Sequence, residues 1–177
     1  MFLLETPRLV LVTTPLDVVR RRLENDQFSA DVPVGAEMWH VQFPPEWPGH
    51  AMVLLPMMAR NYNPDDWNST LIHRADRTAI GQLGTKGPPD ANGTVEIGYG
   101  LNPAYWGQGY ASEAVGALLA FLLAQPTVRR ITAETLIDNQ ASMRVLEKLG
   151  FARIGEREDE EDGSLVIWAR VPPSAAP

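Results

Sequence analysis

Between Thr94 and Ala124 the chain reads TVEIGYGL, then NP, then AYWGQG, then YASEAVGALLAFLLA. An extended stretch is broken by Asn102-Pro103 and followed by a turn containing two glycines. From Gly109 onward Ala111, Ala114, Val115, Leu118 and Leu122 recur at helical spacing, which predicts a helix over 109–124. A strand that turns on glycines straight into a helix fixes a layered β–loop–α unit. It also leaves the first-turn amides of the helix without internal partners. Glycines let successive N–H groups point the same way, and the helix dipole favours an anion there. The chemistry this suits is a phosphate or pyrophosphate, although a plain tight turn uses the same residues. The dinucleotide fingerprint needs a third glycine and the Walker pattern needs Gly-Lys-Ser/Thr; neither is present.

The remaining chain supplies the frame. Arg8–Thr13 reads as a strand and Leu16–Asn25 as a helix opened by Pro15. Residues 28–66 carry recurrent prolines among tryptophans and are expected to be mostly irregular, with a short helix near Gly49–Arg60. Their aromatics serve either a lid or acceptor pocket or the packing beneath a long loop. Two strands, Trp67–Arg74 and Ala79–Lys86, precede the loop 87–93. Val128–Leu136 reads as a strand and Gln140–Leu149 as a helix stopped by Gly150. Phe151–Arg157 and Leu165–Val171 flank an acidic hairpin tip. The order implies an α+β fold with one parallel crossover, a single domain over 1–171 and a disordered tail over 172–177.

Composition narrows the chemistry. Across 177 residues the formal net charge is −7, which argues against nucleic acid as a partner. There is no cysteine, so disulfides, thiolate metal sites and a cysteine nucleophile are excluded. His40, His50 and His73 lack ligand spacing, so no metal site is expected. The opening Met1-Phe2-Leu3-Leu4 is interrupted by Glu5, Pro7 and Arg8 before it forms a signal core. The apolar run Ala114–Ala124 is far shorter than the ~20 residues that cross a bilayer. A cytoplasmic protein without a membrane partner is expected.

Several separated motifs then occur in order: Glu5-Thr6-Pro7-Arg8-Leu9, Val95-Glu96-Ile97-Gly98-Tyr99, Trp106-Gly107-Gln108-Gly109-Tyr110-Ala111, Ala111-Ser112-Glu113-Ala114, Asn139-Gln140-Ala141-Ser142 and Leu146-Glu147-Lys148-Leu149-Gly150-Phe151. Together they resemble the GNAT N-acetyltransferase superfamily, in its RimJ/RimL-like branch. The superfamily's loop motif, Q/R-x-x-G-x-G/A, is matched at Gly109 and Ala111, while Trp106 stands where Gln or Arg is usual. The resemblance implies a mixed, mostly antiparallel central sheet flanked by helices, with a splayed central strand. It implies acetyl-CoA as co-substrate, with the pantetheine arm along Tyr99, Gly100 and Leu101. The pyrophosphate would lie on the loop formed by Trp106, Gly107, Gln108, Gly109, Tyr110, Ala111 and Ser112, with Asn139 as a further contact. The acetyl group would pass to a primary amine, a protein N-terminus or a small molecule, by direct attack in a ternary complex. A homodimer is one state the resemblance leaves open.

Two side-chain roles remain. An amine is mostly protonated at neutral pH, so a base must take its proton. Glu96, on the strand beside the expected cofactor, is the candidate base; the other reading is a strand-surface glutamate in an ion pair. Ser142 is the candidate acid for the departing thiolate. It shares a helix face with Val145, Leu146 and Leu149, and its other reading is a hydroxyl bonded back to its own helix. Asn139 also suits an N-cap. The run Glu156, Glu158, Asp159, Glu160, Glu161, Asp162 is either a solvated tip or a steering patch for a cationic acceptor. The rival functions are a catalytically silent acyl-CoA-binding module and a nucleotide-binding domain.

Overall fold

The computed structural model describes residues 2–160 and 162–171, so the expected disorder of 172–177 and the placement of Glu161 lie outside the described residues. The chain is α+β and gathers into two compact units. One takes in the described residues of 1–84 and 99–117, the other those of 85–98 and 118–171.

In the first unit, β1 (Leu3–Glu5), β2 (Leu9–Thr13), β5 (Asn68–His73) and β6 (Thr78–Thr85) form an antiparallel sheet in the order β1-β2-β5-β6. Helix α1 (Leu16–Glu24) follows β2. Next comes a hairpin, β3 (Phe28–Val34) and β4 (Glu37–Phe43), in full antiparallel register from Phe28↔Phe43 to Val34↔Glu37. This corrects the expectation of irregular chain over most of 28–66. Prolines recur here, yet Ala30, Val32 and Val34 alternate as buried residues along β3 and Trp39, Val41 and Phe43 along β4, with Ala30 opposite Val41 and Val32 opposite Trp39, the period-2 signature of a half-buried ladder. Pro33 costs this ladder little, because β3 pairs with β4 alone among the described residues. A 3₁₀ turn (Gly49–Leu54) and helix α2 (Leu55–Arg60) occupy the expected short-helix position. Trp39, Phe43 and Trp47 join Val10, Val12, Val18 and Ile72 in one apolar cluster, which places these aromatics in the core. The Trp47 indole donates to Gly81 O at 3.1 Å.

The strand order continues β7-β8-β10-β9, built from β7 (Thr94–Leu101), of which Thr94–Gly98 belongs to the second unit, and from β8 (Arg130–Leu136), β9 (Ala152–Asp159) and β10 (Gly163–Arg170) of that unit. Helix α3 (Tyr110–Leu123) is the right place for the parallel crossover between β7 and β8. Their ladder pairs Thr94–Ile97 with Arg130–Ala133, and its register ends there while β7 runs on to Leu101. Helix α4 (Gln140–Lys148) leads into the β9–β10 hairpin. Val95, Ile97, Leu118, Leu122, Ile131, Leu146 and Trp168 make up the apolar interior here. No helix among the described residues is long and apolar enough to cross a membrane.

Candidate functional site

After β7, Asn102 is buried and ties the chain down: its amide donates to Ile80 O at 2.8 Å and its side chain to Ala79 O at 3.2 Å. A 3₁₀ turn over Pro103–Tyr105 leads to Gly107 and Gly109, at φ 73° and 82°. Those left-handed values are open to glycine and costly to most other residues. Helix α3 begins at Tyr110, and the Glu113 amide bonds Gly109 O at 3.1 Å as the helical ladder starts. The amides just before it belong to the loop and first turn, which a helix leaves without internal acceptors. Trp106, Gly107, Gln108 and Gly109 are exposed, Ala111 and Ser112 half-buried and Tyr110 buried. The Trp106 indole donates to Leu101 O at 2.7 Å.

The loop is fastened by residues from the start of the chain. Arg8 Nε lies 2.6 Å from Glu113 Oε2, and Arg8 Nη1 donates to Gln108 O at 2.9 Å. The Arg8 guanidinium also covers the Tyr110 ring, 4.3 Å from its centroid. Glu113 Oε1 accepts from the Thr6 hydroxyl at 2.6 Å and the Arg8 amide at 3.0 Å. Burial pushes the Glu113 carboxyl up, but these bonds from Thr6 and Arg8 outweigh it and hold the group below the usual carboxylate range.

Along β7, Glu96, Gly98 and Gly100 share one face by strand alternation. A Cβ built at Gly98 or Gly100 would meet nothing within 4 Å, so an open strip runs along this part of the strand. Tyr99 and Leu101 are half-buried. A thin chain that pairs with backbone fits such a strip, and the amide run at Gly107–Ser112 fits a diphosphate; the residues present suit coenzyme A. Glu96 carries its own partner: Oε1, enclosed by its surroundings, forms an ion pair with Lys86 Nζ. The same ammonium lies 3.5 Å from Glu134 Oε2, and Glu134 takes a two-pronged bond from Arg157 at 2.7 and 2.9 Å. Burial pulls the Lys86 ammonium down, but Glu96 and then Glu134 carry it above the ordinary lysine value. The Arg157 bonds hold Glu134 below the usual carboxylate range, with burial opposing and Lys86 assisting.

Asn139 caps α4, its side-chain oxygen accepting the Ser142 amide at 3.0 Å. Ser142 is half-buried on the face of Val145, Leu146 and Leu149, as its spacing predicts. In the acidic hairpin Glu156 pairs with Arg153, Asp159 meets Arg157 at 2.6 Å, and Glu158 accepts the Ser164 hydroxyl at 2.7 Å. Much of that negative charge is therefore met within the hairpin's own unit.

Thr6, Arg8, Lys86, Glu134 and Arg157 join these contacts without a role expected from their sequence context. Only Thr6, Arg8 and Glu113 had a signal, since they lie inside quoted motifs; the charges around Glu96 depend on strand order. Residues 28–152 match the acetyltransferase (GNAT) domain family. An uncharacterized N-acetyltransferase of Bacillus subtilis (strain 168), YjdG, is 34% identical over 157 residues, spanning 85% of this chain and 90% of that protein. A GNAT-family acetyltransferase structure from Bacillus anthracis superposes with a TM-score of 0.67 over 97% of this chain and 99% of its own, at 23% identity. RimL, a ribosomal L7/L12 alpha-N-protein acetyltransferase solved in complex with coenzyme A, gives 0.64 over 96% and 98%, at 20% identity. At such identities the two structures speak to the fold.

Proposed function

This chain belongs to the GNAT acetyltransferase family, and on that premise we propose that it carries the acetyl group of acetyl-CoA to a primary amine by direct attack. The observation that carries this reading is the braced loop: left-handed Gly107 and Gly109 present an amide run at the mouth of α3, locked by Arg8. The amides of Gly107–Ser112 hold the pyrophosphate, with Trp106 beside them. The backbone of Tyr99, Gly100 and Leu101 receives the pantetheine arm, and Asn139 adds a contact from the start of α4.

Bound acetyl-CoA supplies the activated acyl group. Glu96 takes the proton released as the amine nitrogen bonds to the carbonyl carbon, directly or through one water. Ser142 gives a proton to sulfur as the carbon–sulfur bond breaks. No acyl-enzyme is needed, which agrees with the absence of cysteine. The acceptor is a protein N-terminus or a small-molecule amine. The formal net charge of −7 tilts the choice toward a cationic one.

A thermal-shift comparison of CoA, ATP and NAD, followed by thiol release from acetyl-CoA with pooled amines, tests the reading. Stabilisation by CoA and amine-dependent thiol release are expected. Stabilisation by ATP or NAD instead of CoA, or CoA binding without turnover on any amine, would sink it.

A further inference from the structure

The loop is held at both ends by one turn. Tyr105 closes the 3₁₀ turn before the glycines and Tyr110 opens α3 after them. The Tyr110 hydroxyl lies 3.1 Å from His73 Nε2, and the two rings meet edge to face at 5.3 Å. On its other side, His73 Nδ1 stands 3.0 Å from Asp76 Oδ1. The second oxygen of Asp76 is 3.5 Å from the Tyr105 hydroxyl. His73 is the last residue of β5, and Asp76 sits in the turn to β6, where its Oδ1 also accepts the Thr78 amide at 3.1 Å. The Tyr105 and Tyr110 rings pack at 6.0 Å. Burial raises the Asp76 carboxyl, but His73 and the Thr78 amide carry it below its ordinary range, so it stays an anion facing the imidazole.

Two left-handed glycines make the segment between the tyrosines conformationally loose. A rigid strand turn that grips Tyr105 and Tyr110 sets the distance between the ends of that segment. Preorganisation of this kind raises affinity by removing the cost of ordering on binding.

We propose that His73 and Asp76 are positioning residues that hold the Trp106–Gly109 segment in its anion-binding conformation through Tyr105 and Tyr110. Neither residue need touch the ligand. The proposal rests on the reading of this loop as the CoA pyrophosphate site.

The test is calorimetric titration of the purified full chain with CoA, using wild type, His73→Leu, His73→Gln, Tyr110→Phe and His73→Leu/Tyr110→Phe. Loss of one neutral hydrogen bond's worth of ordering weakens CoA about five-fold in His73→Leu and in Tyr110→Phe. The double variant is no weaker than His73→Leu alone, because that substitution already cuts the link to the Tyr110 hydroxyl. His73→Gln, which keeps a polar atom near Nε2, recovers most of the affinity. In His73→Leu the loss falls on the KM for acetyl-CoA and leaves the KM for the acceptor unchanged. Wild-type protein that binds no CoA overturns the inference together with the function it rests on. Wild-type protein that binds CoA, with Tyr110→Phe and His73→Leu binding equally well or losing affinity additively, overturns this inference alone.

Discussion

Arg8 and Glu113 stand 105 residues apart in sequence, yet the guanidinium Nε lies 2.6 Å from the carboxylate Oε2 and so ties strand β2's leading edge to the first turn of α3. The same guanidinium reaches Gln108 O and the Tyr110 ring, so one side chain touches the loop at three points. A planar fork manages this and a single ammonium does not. Arg8→Lys is therefore expected to bind CoA about ten-fold more weakly while losing little stability, since partly exposed ion pairs contribute about 1 kcal/mol or less. Equal CoA affinity in Arg8→Lys and wild type, measured by calorimetry, would show that the clamp does not act on the loop.

The clamp also has a pH signature. Glu113 titrates below its ordinary value of 4.5 in the folded protein because Thr6 and Arg8 bond its ionised form. The folded state therefore binds that proton less readily than the unfolded one. The resulting stability is present above pH 4.5 and is lost as pH falls through the lower folded value. Glu113→Gln should flatten the fall of the denaturant midpoint in that acid window, while costing stability at neutral pH. An unchanged acid slope in the variant would contradict the assignment.

Element order and the loop motif were legible in the sequence because they depend on local periodicity and turn chemistry. The β3–β4 hairpin was equally local, but Pro33 and the neighbouring aromatics masked its alternation. The partners of Glu96 could not be read in this way. Lys86 follows β6 and its amide bonds Glu96 O at 2.9 Å, while Glu134 lies on β8 and Arg157 on β9, so strand pairing and not local sequence brings these side chains together. For the same reason Arg8 appeared as part of a motif with no task, and His73 as a scattered histidine.

Asn139 and Ser142 are joined by a bond that separates their roles. The asparagine side chain accepts the serine's amide, so this capping bond survives loss of the hydroxyl. Asn139→Ala should cost about 1 kcal/mol of stability, the usual worth of an N-cap. Ser142→Ala should leave the melting temperature almost unchanged and lower kcat, with CoA affinity preserved. If Ser142→Ala has wild-type kcat at saturating substrates, the thiolate takes its proton from elsewhere.

Trp106 replaces the motif's usual Gln or Arg, and its indole is bonded to Leu101 O at 2.7 Å. On the proposed function the loop holds its anion through backbone amides, so this side chain is expected to tune binding instead of creating it. Trp106→Gln should shift CoA affinity by a few-fold, the scale of one hydrogen bond. Complete loss of CoA binding in that variant would show that the indole itself is a principal contact.

Glu96 has a partner that supports the plainer reading of it as well as the catalytic one. Its Oε1 is paired with Lys86, and the two side chains are 31% and 53% exposed, so the pair alone contributes little to stability. The two readings separate when both partners are changed. If Glu96 only anchors Lys86, then Glu96→Gln and Lys86→Met break the same contact and should have the same small effect on kcat. If Glu96 takes the amine proton, Glu96→Gln removes the base, whereas Lys86→Met leaves the carboxylate in place. Glu96→Gln should then lower kcat by about 10²-fold or more, with CoA affinity unchanged. Lys86→Met should stay within several-fold of wild type. Steady-state kinetics of the two variants at saturating acetyl-CoA settle the matter, and equal kcat values for them would remove Glu96 from the chemistry.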